Sequence, residues 1–588
     1  MGEKTDCPAE GPALVPQPDD MDGSEDQLLR CRWMCHKVPL TYRQELYHIV
    51  RMTGPLLLSR ILNYLLPFVV TMFCGRLGNE VMAGYGLACA TINVTTAATG
   101  YGLGLACDTL VSQTFGGKNL LRVGVILQRG VIILLLFCLP CWGLLMNAQA
   151  ILLCVRQDPE VARKVSVFQA MFLHHLQVSY LQNQDIILPQ MYTAAVANVA
   201  NVVTNYFLLH WLNLGVSGSA AANALSHVYN CTFLFAYIWW KKLHIATWGG
   251  WSLESLQEWG SYMKLAIPST LMKCFEWWVY ELGGFFAGML GEDELAAQHA
   301  VIMVAFLTYM FPLGVQAATC ARVGNALGAG DSDRAFLTCK VSFALAGFFA
   351  VVEGLVLGST RTVIGFIFTP DEVVLCLFPP KCVCTGIFLG TGKQKIPAVA
   401  NFVGYYCIGL SLSVTLMFVA KLGVLGFWLG LLVCVILQST FYITIIFQLN
   451  WGRMTEEAVK RARTNTHVTL STADVSDMEG SNSTGQSANQ SEDGYMSVST
   501  QDRNGNMETQ DGNAQPKDRG LSTAQLLLRR GLAVFVAAAL LAVGASVHFL
   551  VPLPEPHYSE ANVTLKWINA TNATAHHIFS TALAPNEE

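Results

Sequence analysis

Glu276 and Glu281 stand in the run Lys273-Cys274-Phe275-Glu276-Trp277-Trp278-Val279-Tyr280-Glu281, in the middle of an apolar stretch bounded by Pro268 and Gly291. A charged side chain at the centre of a membrane helix costs about 2.5–3.5 kcal/mol on insertion scales, so such an acid is expected to face a cavity and mark an ion or substrate path. On a helix Glu276 and Tyr280 lie four residues apart, as do Trp277 and Glu281, so two adjacent stripes combine carboxylate with aromatic groups. Aromatic faces attract organic cations by about 2 kcal/mol or more once desolvated, and a neighbouring carboxylate supplies the counter-charge. The plainer alternative is a lone structural acid beside interfacial tryptophans; the mid-run position speaks against it. One carboxylate for which a proton and a cation compete is the chemistry of exchange. On this reading Glu276→Gln and Glu281→Gln remove exchange and leave insertion nearly intact, because an amide keeps the size but loses charge and titration.

The elements that position these acids follow from composition. The chain has 588 residues, of which 53% are hydrophobic and 13% charged, with a mean hydropathy of +0.41. Soluble domains carry about 25% charged residues, so this is a polytopic membrane protein. Apolar stretches long enough to cross about 30 Å recur from near His48 to near Gln448, about twelve in all, and one more runs from Gly531 to Val551. Met1 to Asp26 is acidic, rich in Pro and Gly, and lacks the apolar core of a signal peptide.

Basic residues set an expected orientation. Arg30, Arg32, Lys37, Arg43 and Arg51 precede the first span; Lys118 and Arg122 follow the second, Lys241 and Lys242 the sixth, Arg334 and Lys340 the eighth. These sides are read as cytoplasmic, the acidic Gly291-Glu292-Asp293-Glu294 loop as external. Lys460, Arg461 and Arg463 follow the twelfth span, and Arg529 and Arg530 precede the last, which leaves the tail after Val551 outside. Three glycosylation acceptors there, Asn562, Asn569 and Asn572, fit that side. Residues 464–519 are polar, with few aliphatic clusters, and read as a disordered cytoplasmic linker. Cys31 and Cys35 are better read as palmitoylation sites than, with His36, as metal ligands, and the 18 cysteines show no disulfide framework. Nothing in the chain calls for nucleic acid, and the expected partners are the bilayer, substrates and protons. No Gly-x4-Gly-Lys-Ser/Thr loop is present, so the expected machine is a secondary transporter without a further cofactor, neither an ATPase nor an enzyme.

The punctuation repeats at an offset of about 210 residues. Pro55 and Cys74-Gly75-Arg76-Leu77-Gly78 answer Pro268 and Gly288-Met289-Leu290-Gly291; Ser112-Gln-Thr-Phe-Gly-Gly117 answers Arg322-Val-Gly-Asn-Ala-Leu-Gly-Ala-Gly330. Pro189 pairs with Pro397, and Gly215-Val-Ser-Gly218 with Gly423-Val-Leu-Gly426. The expected domains are a tail at 1–40, six-helix lobes at 41–250 and 251–455, a linker at 456–528, an extra helix at 529–552 and an external tail at 553–588. An even number of spans per lobe gives both the same polarity, related by an axis along the membrane normal, with a central cleft for alternating access.

These motifs, with Glu276-Trp-Trp-Val-Tyr-Glu281 and Thr247-Trp-Gly-Gly-Trp-Ser-Leu-Glu254, resemble the multidrug and toxin extrusion family, and the extra span its vertebrate organic-cation members. The resemblance covers residues 40–455 and the final span. It implies an all-α fold and a proton-coupled antiporter exporting organic cations, drugs and toxins (xenobiotic efflux) across the plasma membrane, on the apical side of excretory epithelia. It also implies that Glu276 and Glu281 bind substrate and proton, with Trp277, Tyr280, Asn93 and Tyr309 lining the cavity.

The chain departs from that family at three places. Met303 stands where the eighth span carries another acid. Pro379, Pro380 and Lys381 are expected to split the tenth span into pieces too short to cross. The fourth span is short and includes His174 and His175, read as structural. Arg60, in the first span, is expected to snorkel to the interface. The rival readings are a transport-defective shortened product of a skipped exon or misjoined reading frame, and a lipid-linked oligosaccharide flippase, which would call for a basic cavity. With these lesions the chain is expected to transport poorly.

Overall fold

The structure is a computed structural model and describes residues 39–77, 92–147, 169–212, 215–364, 378–463 and 523–550. Outside that set lie Cys31 and Cys35, residues 464–522 of the linker region, residues 148–168 that lead into the short fourth span, and the acceptors Asn562, Asn569 and Asn572.

The described residues fold into helices: α1 (Leu40–Leu77), α2 (Ala98–Gly116), α3 (Leu120–Met146), α4 (Gln169–Gln182), α5 (Leu188–Tyr206), α6 (Gly215–Trp240), α7 (Trp259–Leu290), α8 (Glu292–Ala329), α9 (Ser332–Ile364), α10 (Phe378–Thr391), α11 (Lys395–Val419), α12 (Gly423–Gln448), α13 (Trp451–Arg463) and α14 (Thr523–Leu550). A π-helical turn, Asn93–Ala97, leads into α2. There is no strand among the described residues, so the all-α expectation holds. Five helices (α3, α9, α11, α12 and α14) contain stretches long and apolar enough to cross a bilayer. Others dilute their apolar windows with functional side chains: α7 carries Lys273, Glu276 and Glu281, and α2 carries four glycines and Asp108. Length and apolarity alone therefore do not fix the number of crossings.

α2 and α8 meet where the two equivalent sequence motifs fall. A Cβ at Gly328 would collide with the Gln113 carbonyl, one at Gly116 with the Asn325 carbonyl, and one at Gly324 with the Ser112 hydroxyl. Only glycine lets these backbones come so close. The contact is polar as well as tight. Thr109 donates to the Leu389 carbonyl at 2.7 Å, and the Gln113 amide to the Gly390 carbonyl at 2.8 Å, at the end of α10. Arg322 of α8 forks onto Glu45 of α1 at 3.0 and 2.7 Å, and Thr338 adds a bond at 2.8 Å to the same buried carboxylate.

Among the described residues α10 begins at the proline pair and is short, as expected of a divided span, but the piece is a packed helix rather than a disrupted one. Phe378, Pro379 and Pro380 form its first turn, where proline is tolerated because those N–H groups have no helical acceptor. The helix continues to Thr391 with Val383, Cys384, Ile387 and Phe388 fully buried in the core shared with α8 and α12. Its 14 residues reach about 21 Å, so α10 packs well yet stays shorter than the apolar core of a bilayer.

α13 lies across the motif end. Arg461 donates to the Gln113 amide oxygen at 3.0 Å, Asn119 donates to the Ala462 carbonyl at 3.2 Å, and Lys393 pairs with Glu457 at 2.9 Å. α14 attaches elsewhere. Gly544 packs on Gly143 of α3, Asn147 donates to the Gly544 carbonyl at 2.7 Å, and Arg530 covers the Trp259 ring at 4.1 Å.

Two outcomes follow. Gly328→Val should lower stability by about 1–3 kcal/mol or more, since backbone stands in the way. Gly347→Val, where a Cβ meets nothing within 4 Å, should be nearly neutral. Melting of the purified chain in detergent separates the two. On α13, burial raises the Glu457 carboxyl, but the hydrogen bond and charge of Lys393 and the charges of Arg461 and Arg453 outweigh it and hold the group below the ordinary carboxylate range. A depressed pKa contributes stability that is present above the unfolded value and lost as pH falls through the folded one. Wild type should therefore melt slightly above Glu457→Gln near neutral pH, by at most about 1 kcal/mol for so exposed a cluster. That difference should vanish once acid protonates the group.

Candidate functional site between α7, α8, α10 and α11

α7 supplies both acids but aims them differently. Five residues apart, they are separated by about 7.5 Å along the axis and about 140° around it. The structure therefore does not bring Glu276 and Glu281 together as one carboxylate pair.

Glu276 is buried between two lysines. Lys273 Nζ lies 2.8 Å from Oε2, three residues back on the same helix, and Lys381 Nζ reaches Oε1 at 3.0 Å from α10. Tyr309 of α8 donates to Oε1 at 3.5 Å. Lys381 also hydrogen-bonds the Tyr405 hydroxyl of α11 and sits 4.4 Å from the centre of that ring. Lys273, Glu276 and Lys381 are 2%, 6% and 2% exposed, so the three charges see little water. Tyr280 does not stand free beside Glu276; it packs against Trp428 of α12, ring centres 6.1 Å apart.

Glu281 points the other way. Asn93, in the π-helical turn before α2, donates to its Oε1 at 3.3 Å, and the carboxylate has no ion pair among the described residues. The half-buried Trp277 tilts against Tyr101 at 5.6 Å, and Tyr101 stacks on the buried His175 at 4.2 Å. Asn93 and Tyr309, which the resemblance implies only as cavity-lining groups, thus bond to different acids of α7, Asn93 to Glu281 and Tyr309 to Glu276. His175 is a packed ring, as the structural reading has it.

Three side chains acquire a place that the sequence reading did not give them. Lys381, read as a lesion, is a buried counter-ion. Arg60 does not snorkel: it lines a small cavity of mixed character with Asp108, Gln182 and Gln316 and with apolar Leu105, Leu313 and Leu389. Asp108, passed over in the reading, accepts bonds from Ser179 at 2.6 Å, Asn183 at 2.8 Å and Gln182 at 3.2 Å. Its signal was present: an acid inside the apolar run that leads into Val111-Ser-Gln-Thr-Phe-Gly116. The Met303 side chain lies outside the described set.

The MatE family model matches residues 55–207 and again 268–415. Multidrug and toxin extrusion protein 1 of Danio rerio is 44% identical over 536 residues, which span 86% of this chain and 90% of that protein. The chain belongs to the multidrug and toxin extrusion family. The human protein 1 is 45% identical over 439 residues, 71% of this chain and 77% of its own length. The crystal structure of the eukaryotic MATE transporter AtDTX14 superposes with a TM-score of 0.67 at 24% identity, over 72% of this chain and all of that one, which shows the fold. The family consists of multi-pass membrane transporters rather than enzymes, and its model begins its two matches at Pro55 and Pro268, the prolines that open the repeat.

The ion triad revises one expectation. Glu276→Gln is not a neutral change of size and charge, because it leaves two buried ammonium groups without their counter-charge. Breaking a buried pair costs about 3–5 kcal/mol. Glu276→Gln should therefore melt well below wild type, whereas Glu281→Gln, which keeps an oxygen for Asn93, should melt near it; thermal unfolding of both purified variants checks this.

Proposed function

We propose that this chain exports organic cations, drugs and toxins among them, in exchange for protons by alternating access. The observation that carries the reading is Glu281: a carboxylate inside α7, with an amide as its hydrogen-bond donor and no ion pair among the described residues, beside Trp277 and Tyr101. Such an acid has a charge to offer either a proton or a cation, and the rings add attraction for an ammonium face. Glu276, Trp277, Tyr280, Asn93 and Tyr309 complete the site. Exchange of one proton for one monovalent cation moves no net charge and escapes the membrane-potential term of about 2.3 kcal/mol per 100 mV.

In this reading the motif end of α2 and α8 faces the cytoplasm, beside Lys118, Arg334 and Lys460. The tail after Val551 is then external, glycosylated at one or more of Asn562, Asn569 and Asn572, and the protein sits in the plasma membrane on the apical side.

Proton-driven uptake of tetraethylammonium into inside-out vesicles holding the full chain tests the proposal. Glu281→Gln should reduce that uptake by about tenfold or more, the size of a lost charge contact in a desolvated site. Uptake equal to wild type at equal protein level would remove Glu281 from the exchange step, and none in wild type would return the chain to the transport-defective reading.

A further inference from the structure

The buried triad has an odd count: two ammonium groups, one carboxylate. Lys273 and Lys381 both hold Glu276, at 2.8 and 3.0 Å, and the other hydrogen-bond partners of the triad, Tyr405 on Lys381 and Tyr309 on Glu276, are phenols that supply no charge at neutral pH. A carboxylate saturated in this way has no field left for a substrate. The excess positive charge instead repels a second cationic centre that comes within about 5–10 Å in a medium of low effective dielectric. Glu281, about 7.5 Å further along the helix and about 140° around it, is the acid without an ion pair among the described residues.

We propose that Lys273 and Lys381 are specificity-determining residues: tethered cations that saturate Glu276 and leave one excess positive charge in the bundle, so that the chain accepts organic monocations at Glu281 and disfavours dications. This deepens the reading of the site as one for organic cations and rests on it. Lys381 is the sharper determinant, since Lys273 alone makes a neutral pair with Glu276 on one helix, whereas Lys381 comes from α10 and brings the excess charge.

The consequence is measurable as a ratio. Binding of tetraethylammonium, a monocation, and of methyl viologen, a rigid dication, is measured on the purified full-length chain in lipid nanodiscs without a proton gradient. Lys381→Met leaves the Lys273–Glu276 pair, so it should fold. It should tighten methyl viologen relative to tetraethylammonium by about tenfold or more, the effect of one unit charge at about 10 Å with an effective dielectric constant near 20. K273L/K381M should shift the ratio further, and the uncharged triple variant K273L/E276Q/K381M should fall back below K273L/K381M, because the gain acts through Glu276. An unchanged ratio in Lys381→Met, or a triple variant that keeps the full shift, overturns the proposal. Absence of binding of either cation to any form overturns both this proposal and the organic-cation reading. A shifted ratio with no proton-driven uptake in vesicles counts against proton exchange alone.

Discussion

A charge inside a lipid-embedded bundle has to be balanced by the protein itself, because no water is at hand to do it. That constraint explains where the polar side chains of this molecule stand. Glu276 lies between Lys273 and Lys381; Glu45 receives the fork of Arg322; Asp108 is wrapped by Ser179, Gln182 and Asn183. Each cluster draws on at least two helices, so the need to satisfy charge also fixes which helices pack and in what register. Replacing such a cluster by apolar residues of similar size would often cost little or nothing in stability. Polar groups kept in these places are therefore better explained by selectivity and by motion than by stability.

Motion is confined by a second constraint, the close approach of α2 and α8. Where Gly116, Gly324 and Gly328 remove side chains, carbonyl oxygens of one helix meet the backbone of the other, and Thr109 and Gln113 extend the contact to the end of α10. The site on α7 lies along the bundle from this junction. In the conformation seen this junction is closed by backbone contacts and short hydrogen bonds.

Most of the architecture was legible in the sequence because its signals are local. Hydropathy marks apolar helices, and proline and glycine at a constant offset mark the repeat whose two motifs meet in α2 and α8. Glu281 and Glu276 were legible as buried acids for the same reason, since charge in an apolar run stands out wherever the helix points. What the run does not encode is direction around the helix and the identity of a partner far away in sequence. Lys381 is separated from Glu276 by more than a hundred residues, and beside Pro379 and Pro380 it looked like the ruin of a span. Whether a proline pair breaks a helix or begins it depends on where the first turn starts, and apolarity is silent on that. Arg60 was misjudged in the same manner: a long cationic side chain can turn to the interface or to a cavity, and only the placement of Asp108 and Tyr101 decides between them.

The position of α13 bears on rates. Arg461 and Asn119 tie it to the end of α2, Lys393 to the turn that joins α10 and α11, so elements from both halves of the chain share one short helix. Spreading that end by a small amount would stretch these bonds before water could enter to replace them. Partly open states would then lie above both the closed and the fully open one. Such a profile makes the junction a bistable switch rather than a graded valve, and the dwell time on each side is set by a barrier, not by how tightly substrate is held. Turnover in a molecule so built would respond to the strength of a surface latch far from Glu276 and Glu281.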